Sequence, residues 1–101
     1  MDAPEPTVAQ IVAMSAAAFG LTRAMVLSPR RDMPTVECRH TAMWLAHRLT
    51  ALSLPQLGRE LRRDHTTVMH GIARIKRRIA HDPLFAARVL ELLAAIGAAR
   101  P

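Results

Sequence analysis

Apolar residues recur at helical spacing through most of the chain, and no segment shows the strict alternation of a half-buried strand. Thr7 can cap a helix, with Gln10 placed to close a capping box, and Val8, Ile11, Val12 and Phe19 fall on or near one stripe before Gly20 offers a stop. Thr22 opens a short stretch through Leu27, which Ser28-Pro29 ends because proline disfavours helix in the residue before it. Pro29 to Pro34 reads as an exposed loop carrying Arg30, Arg31 and Asp32. A long helix is predicted from about Thr35 to Ala51, with Val36, Met43, Trp44, Leu45 and Leu49 among its apolar positions.

Three further starts follow. Ser53 caps a short helix to about Leu61, with Pro55 in its first turn and Gln56 at the capping-box position. Asp64 caps a helix to about Ala80, in which Val68, Ile72, Ile75 and Ile79 form one buried stripe. Asp82-Pro83 opens a last helix, for which Gly97 is a suitable C-terminal residue. The pattern predicts an all-α fold, a compact bundle of five or six helices. Residues 7–97 form one domain, between a flexible N-terminal segment (1–6) and a flexible tail (98–101).

Composition narrows the function. A chain of 101 residues with 50% hydrophobic content can bury one core without disulfides or metal. Fourteen basic against eight acidic residues leave +6 at pH 7, which points to a polyanionic partner. Lys76 is the only lysine, and arginine suits phosphates and guanine edges better than lysine does. Cys38 stands alone, so no intrachain disulfide forms and a reducing cytoplasm is expected. Met1 to Pro6 lacks a signal-peptide pattern, and Val89 to Ala99 is about half the ~20 residues a membrane span needs.

The informative run is Ser53 to His70: a short helix, a tight turn and a longer helix. In a helix-turn-helix the second helix enters the major groove, and its first turn must carry short polar side chains that donate, accept or offer a methyl. Asp64, His65, Thr66 and Thr67 supply those functions together.

The octapeptide Arg63-Asp64-His65-Thr66-Thr67-Val68-Met69-His70 resembles the signature of the C-terminal duplex-DNA-binding domain of the bacterial replication initiator DnaA. That signature reads Arg-Asp-His-Thr-Thr-Val, then an apolar residue and His. The likeness extends through Ser53-Leu54-Pro55, Arg39, Ala42-Met43 and Arg30-Arg31, over roughly residues 8 to 96. It implies major-groove base contacts by Asp64, His65 and Thr66, with Thr67 shared between base and phosphate and Arg63 contributing beside them. It implies minor-groove insertion of Arg31, next to Arg30. Backbone contacts fall to Arg39 and His40, to Leu54 and Pro55 through main-chain amides, and to Arg62 beside the turn.

Three departures accompany the likeness. The family's phenylalanine and two glycines before the signature arginine are replaced by Leu61-Arg62-Arg63, one residue shorter. Its glutamine is His40, and later basic loop positions are Met33 and Glu37. No Walker-type run is present, so the initiator's ATP-driven motor is missing from this chain.

Elsewhere the residues leave choices open. Arg74, Lys76, Arg77 and Arg78 read either as a solvated helix face or as phosphate contacts. His70, five residues from His65, points away from it and serves packing or backbone contact. Trp44 reads as core, and 3% aromatics leaves few platforms for single strands or RNA. No metal, cofactor or catalytic constellation is expected. The partner is double-stranded DNA, bound by a monomer at an asymmetric DnaA-box-like site. The role is that of a nucleoid-associated regulator, a competitor at initiator sites, or the DNA-binding part of a longer regulator such as an activator of phage-like gene-transfer clusters. The rival of another class is anionic membrane-surface binding through the amphipathic stretch Ile72 to Ile79.

Overall fold

In the computed structural model, which describes residues 5–99, α1 (Val8–Ala18), α2 (Arg23–Leu27), α3 (Met33–Leu49), α4 (Leu54–Leu61), α5 (His65–His81) and α6 (Pro83–Ala98) follow one another. No strand occurs among the described residues. Each helix starts at a side chain that accepts one of the amide protons a first turn cannot pair. Thr7 and Gln10 close the first capping box, at 3.1 and 2.8 Å. Ser53 and Gln56 close the second, at 3.3 and 2.8 Å.

One start lies earlier than the sequence predicts. Asp32 caps α3, accepting from the Thr35 amide at 3.2 Å and the Thr35 hydroxyl at 2.7 Å, so Met33 and Pro34 belong to the helix. Proline is tolerated there because an amide in the first turn has no helical acceptor. These bonds, the Thr35 hydroxyl first and then Arg30, hold the Asp32 carboxyl at about 2.

The ends are equally local. After α1 the Leu21 amide donates to Ala16 at 2.8 Å and Gly20 to Ala17 at 3.2 Å, a Schellman motif whose left-handed residue is Gly20, φ +70°. Asp82 joins two helices with no linker. Its amide donates to Arg78 at 2.8 Å to close α5, and its carboxylate accepts from Phe85 at 3.1 Å to open α6.

α3 is the central element. Cys38, Thr41, Ala42, Met43, Leu45 and Ala46 are all buried on it, between Ile11 and Val12 of α1 and Val68, Ile72 and Ile75 of α5. Burial carries the Cys38 thiol up to about 12, so it stays protonated and inert. Trp44 is core, as expected, with the Arg48 guanidinium 5.3 Å from its ring centroid. α3 and α5 approach closely because Gly71 has no side chain: a Cβ there would lie 2.5 Å from Met43 Sδ and 3.0 Å from His40 Cδ2. Burying each large apolar side chain is worth about 1.5–3 kcal/mol, so the Val68–Ile72–Ile75 seam fixes the rotation of α5 and decides which residues face outward. Ile79, at the end of that stripe, is only half-buried.

The ends expected to be flexible fall partly outside the described residues, which exclude 1–4 and 100–101. Glu5 and Pro6 belong to the folded body: Pro6 is buried and the Ala51 amide donates to the Glu5 carboxylate at 3.4 Å. At the other end α6 continues past Gly97 to Ala98.

Candidate nucleic-acid interface

α4, the turn after it and α5 form the helix-turn-helix. The turn is a second Schellman motif, with Arg63 N–H donating to Gly58 at 2.8 Å and Arg62 N–H to Arg59 at 3.3 Å. Its left-handed position is filled by Arg62, φ 57° and ψ 43°, where glycine would be unstrained. The chain thus completes this turn with no glycine at its left-handed position. Arg62 is exposed and borders a shallow depression with Val8, Arg23 and Glu60 on the α1–α2 side.

Asp64 opens α5 by accepting the Thr66 amide at 3.1 Å through Oδ1, the same oxygen that lies 3.2 Å from His65 Nδ1. The Thr66 amide, more than any charge, holds its carboxyl below the usual range. Asp64, His65, Thr66 and Thr67 are all exposed on the first turn, with the Val68 seam behind them. One turn on, Met69 is 45% exposed, an apolar side chain three residues from Thr66 that the sequence did not single out. Its exposure on the second helix of a helix-turn-helix is the signal that could have found it, because apolar groups contact thymine methyls.

The Ser28–Asp32 loop lies against the start of this motif. Arg63 donates to the Ser28 carbonyl through Nη2 and to the Arg62 carbonyl through Nη1 at 2.9 Å, so its guanidinium turns back from α5 towards the loop. Arg39 is placed differently from an exposed phosphate contact. It is 5% exposed, with Nε donating to Val26 at 2.8 Å and Nη2 to Ser28 at 2.8 Å and Arg30 at 3.0 Å. Burial, then the neighbouring Arg63 charge, lowers its affinity for its proton. Within the loop Arg30 pairs with Asp32 at 2.8 Å, whereas Arg31 is exposed and makes no ion pair or hydrogen bond among the described residues.

His40 is half-buried under Arg74. Burial first, then the Arg74 and Arg39 charges, shift its pKa below the usual histidine value, so it is neutral at pH 7. Around it Thr67, His70, Arg74 and Arg77 border one shallow depression. The basic cluster of α5 therefore divides. All four are exposed, but Arg78 is paired within the protein, 2.8 Å from the Glu37 carboxylate and 3.9 Å above the Phe85 ring, while Arg74, Lys76 and Arg77 make no ion pair among the described residues. On α4, Leu54 is half-buried with its amide unbonded among those residues, and Pro55 is exposed but has no amide proton to offer. No cluster of three or more potential metal ligands occurs among the described residues, and no described helix is long and apolar enough to cross a membrane.

Comparison with known proteins agrees with this geometry. The family described as "Bacterial dnaA protein helix-turn-helix" matches residues 8–75. The chromosomal replication initiator protein DnaA of Caulobacter sp. (strain K31) is 45% identical over 67 residues, covering 65% of this chain and 14% of its own length. That of Caulobacter vibrioides (strain NA1000 / CB15N) is 43% identical over 77 residues, 75% of this chain and 16% of its own length. That of Rhodopseudomonas palustris (strain BisB18) is 43% identical over 65 residues, 63% and 14%. The chain thus spans only 14–16% of the length of these relatives. A helix-turn-helix whose reading turn is exposed, in a basic all-α domain matched over most of its length, leads to one conclusion: this chain belongs to the bacterial DnaA helix-turn-helix family of DNA-binding domains.

Proposed function

We propose that the chain reads a short, asymmetric, DnaA-box-like duplex site as a monomer, performs no catalysis of its own, and acts on the nucleoid as a transcriptional regulator or as a competitor at initiator-binding sites. The observation that carries this reading is the placement of two unlike elements side by side: the exposed turn Asp64–Thr67 and the loop bearing the unpaired Arg31. One suits the major groove and the other the minor groove, so a single molecule supplies both readings and no dyad is required.

Asp64 accepts from a cytosine amino group, His65 and Thr66 meet base edges, and Thr67 divides between base and phosphate. Arg31 enters a narrow A·T-rich minor groove, where positive charge is favoured. Phosphates accept from the Leu54 amide and from His70, Arg74 and Arg77 around His40, while Pro55, which has no donor, meets the sugar-phosphate backbone by van der Waals contact alone; such contacts set register without reading sequence. That the relatives are chromosomal replication initiator proteins supports the choice of site.

Selection from a random duplex pool tests the proposal. The expected product is one asymmetric sequence bound by one protein copy, unaffected by ATP. Substituting His65 or Thr66 by alanine should cost about 1–3 kcal/mol on that sequence and much less on random duplex. A palindrome bound by two copies would sink the monomeric reading.

A further inference from the structure

We infer that Arg63 is a positioning residue: it tethers the Arg31 loop to the start of α5 through the Ser28 carbonyl, and so sets the spacing between the two elements that enter the DNA. The inference rests on the reading above but adds to it, because it moves Arg63 from the base contacts to the frame that aims them.

Arg63 immediately precedes the cap of α5, yet its guanidinium does not follow the helix outward. Nη2 crosses 35 positions of sequence to the Ser28 carbonyl, and Nη1 anchors on the Arg62 carbonyl at 2.9 Å. The Ser28 oxygen also accepts Arg39 Nη2 at 2.8 Å, so both of its lone pairs are engaged by charged donors. Two guanidiniums repel each other, and in a protein of net charge +6 nothing general draws them together. The carbonyls of Val26 in the last turn of α2 and of Ser28 and Arg30 just after it are what hold them there. Arg39 fixes this segment to the core helix α3, and Arg63 fixes it to the reading helix.

Within the loop itself the restraints are the Arg30 amide to Ser28 Oγ at 3.3 Å, the Arg30–Asp32 pair, and, at its far end, the Asp32 carboxylate on the Thr35 amide and hydroxyl. Arg31, three residues beyond the clamp at Ser28 and one beyond Arg30, takes its position from those carbonyls on one side and from the Asp32 cap of α3 on the other. Removing Arg63 should leave α5 intact and let the loop drift relative to it. Discrimination should then fail at the base pairs under the loop, and persist at those under His65.

The test is a double-variant cycle of Arg63→Gln and Arg31→Ala, measured on the selected site, on sites altered at either end, and on random duplex. Circular dichroism and melting curves fix a temperature at which all variants are folded. We expect Arg63→Gln to weaken the selected site roughly tenfold, to abolish preference at the loop end only, and, combined with Arg31→Ala, to fall within about twofold of Arg31→Ala alone. Arg63→Lys, which keeps one charged donor, should recover part of the loop-end preference. Amide exchange of Ser28, Arg30 and Arg31 in the free protein should be faster in Arg63→Gln, with the α5 amides unchanged. Loss of preference at the His65 end, losses that multiply across the two variants, or unchanged exchange would each overturn the tether and return Arg63 to a base contact. Because exchange is measured without DNA, it judges the tether even where wild-type selection contradicts the proposed site.

Discussion

The Cβ that Gly58 lacks would lie 2.5 Å from the Arg63 carbonyl oxygen, so the C-terminal half of α4 and the strand of chain leading into α5 are in contact backbone to backbone. Four residues on, Arg62 occupies the left-handed region where a glycine would sit without strain. The turn therefore needs a glycine at one position and tolerates its absence at the other. Gly58→Ala should destabilise the fold by about 1–3 kcal/mol, through overpacking against an atom that cannot rotate away. Arg62→Gly should be neutral or stabilising by up to about 1 kcal/mol, since relief of the left-handed penalty exceeds the added chain entropy. Thermal melts of the two variants check both signs, and a stable Gly58→Ala protein would mean that the turn is looser than described.

Asp64 combines two tasks that substitution can separate. Asparagine caps a helix about as well as aspartate but presents no carboxylate, whereas alanine does neither. Asp64→Asn should melt close to wild type and lose affinity for the selected site. Asp64→Ala should lose about 1 kcal/mol of stability in addition. Equal binding by wild type and Asp64→Asn would show that the carboxylate only caps.

His40 makes stability depend on pH in a defined direction. Its folded pKa lies below the ordinary value of about 6.5 because of burial and the neighbouring Arg74 and Arg39. Below that ordinary value the unfolded chain takes up a proton that the folded one refuses. The stabilisation is therefore complete above pH ~6.5 and is lost as pH falls through the lowered folded value. Melting temperature should decline across that window in wild type and less steeply in His40→Gln. If phosphate approaches His40, DNA should favour its protonated form, and the affinity ratio of wild type to His40→Gln should rise on acidification.

Arg77 and Arg78 are adjacent in sequence and opposite in expected effect. Arg77→Ala should leave stability alone and lower the slope of log affinity against log salt by about 1, as for one lost phosphate contact. Arg78→Ala removes the Glu37 pair and the cation over Phe85, so it should cost about 1 kcal/mol of stability with the salt slope unchanged. Salt titrations of binding beside melting curves distinguish the two.

The helix starts were legible because capping is local. Thr7, Thr22, Ser53, Asp64 and Asp82 each act on an amide two or three residues ahead, within the window that sequence patterns cover. Asp32 was missed although it acts over the same distance, since Pro34 suggested a loop and a proline in a first turn looks the same as one before it. The exposed turn Asp64–Thr67 was legible for the same local reason: the stripe from Val68 to Ile75 leaves it outside. What could not be read were the directions of Arg39 and Arg63. Apart from the adjacent carbonyls that take Arg63 Nη1, their acceptors stand 9 to 35 positions away, and only the packing of α2, α3 and the turn brings them together. The division of the α5 basic cluster was hidden likewise, because the Glu37 carboxylate that takes Arg78 comes from α3.

Asp82, which ends one helix and begins the next, has a mechanical consequence for the search along a genome. Together with Arg78 it fixes the far end of α5 to α3 and α6, just as the Asp64 cap and the Gly58 contact fix the near end. A probe clamped at both ends has little freedom to adjust itself to an imperfect groove. Whatever adjustment an encounter requires must come from the duplex, whose stiffness varies from one base step to the next. Base pairs that no side chain touches should therefore influence residence time through their flexibility, with pliable pyrimidine–purine steps beside the contacted bases prolonging it and rigid ones shortening it.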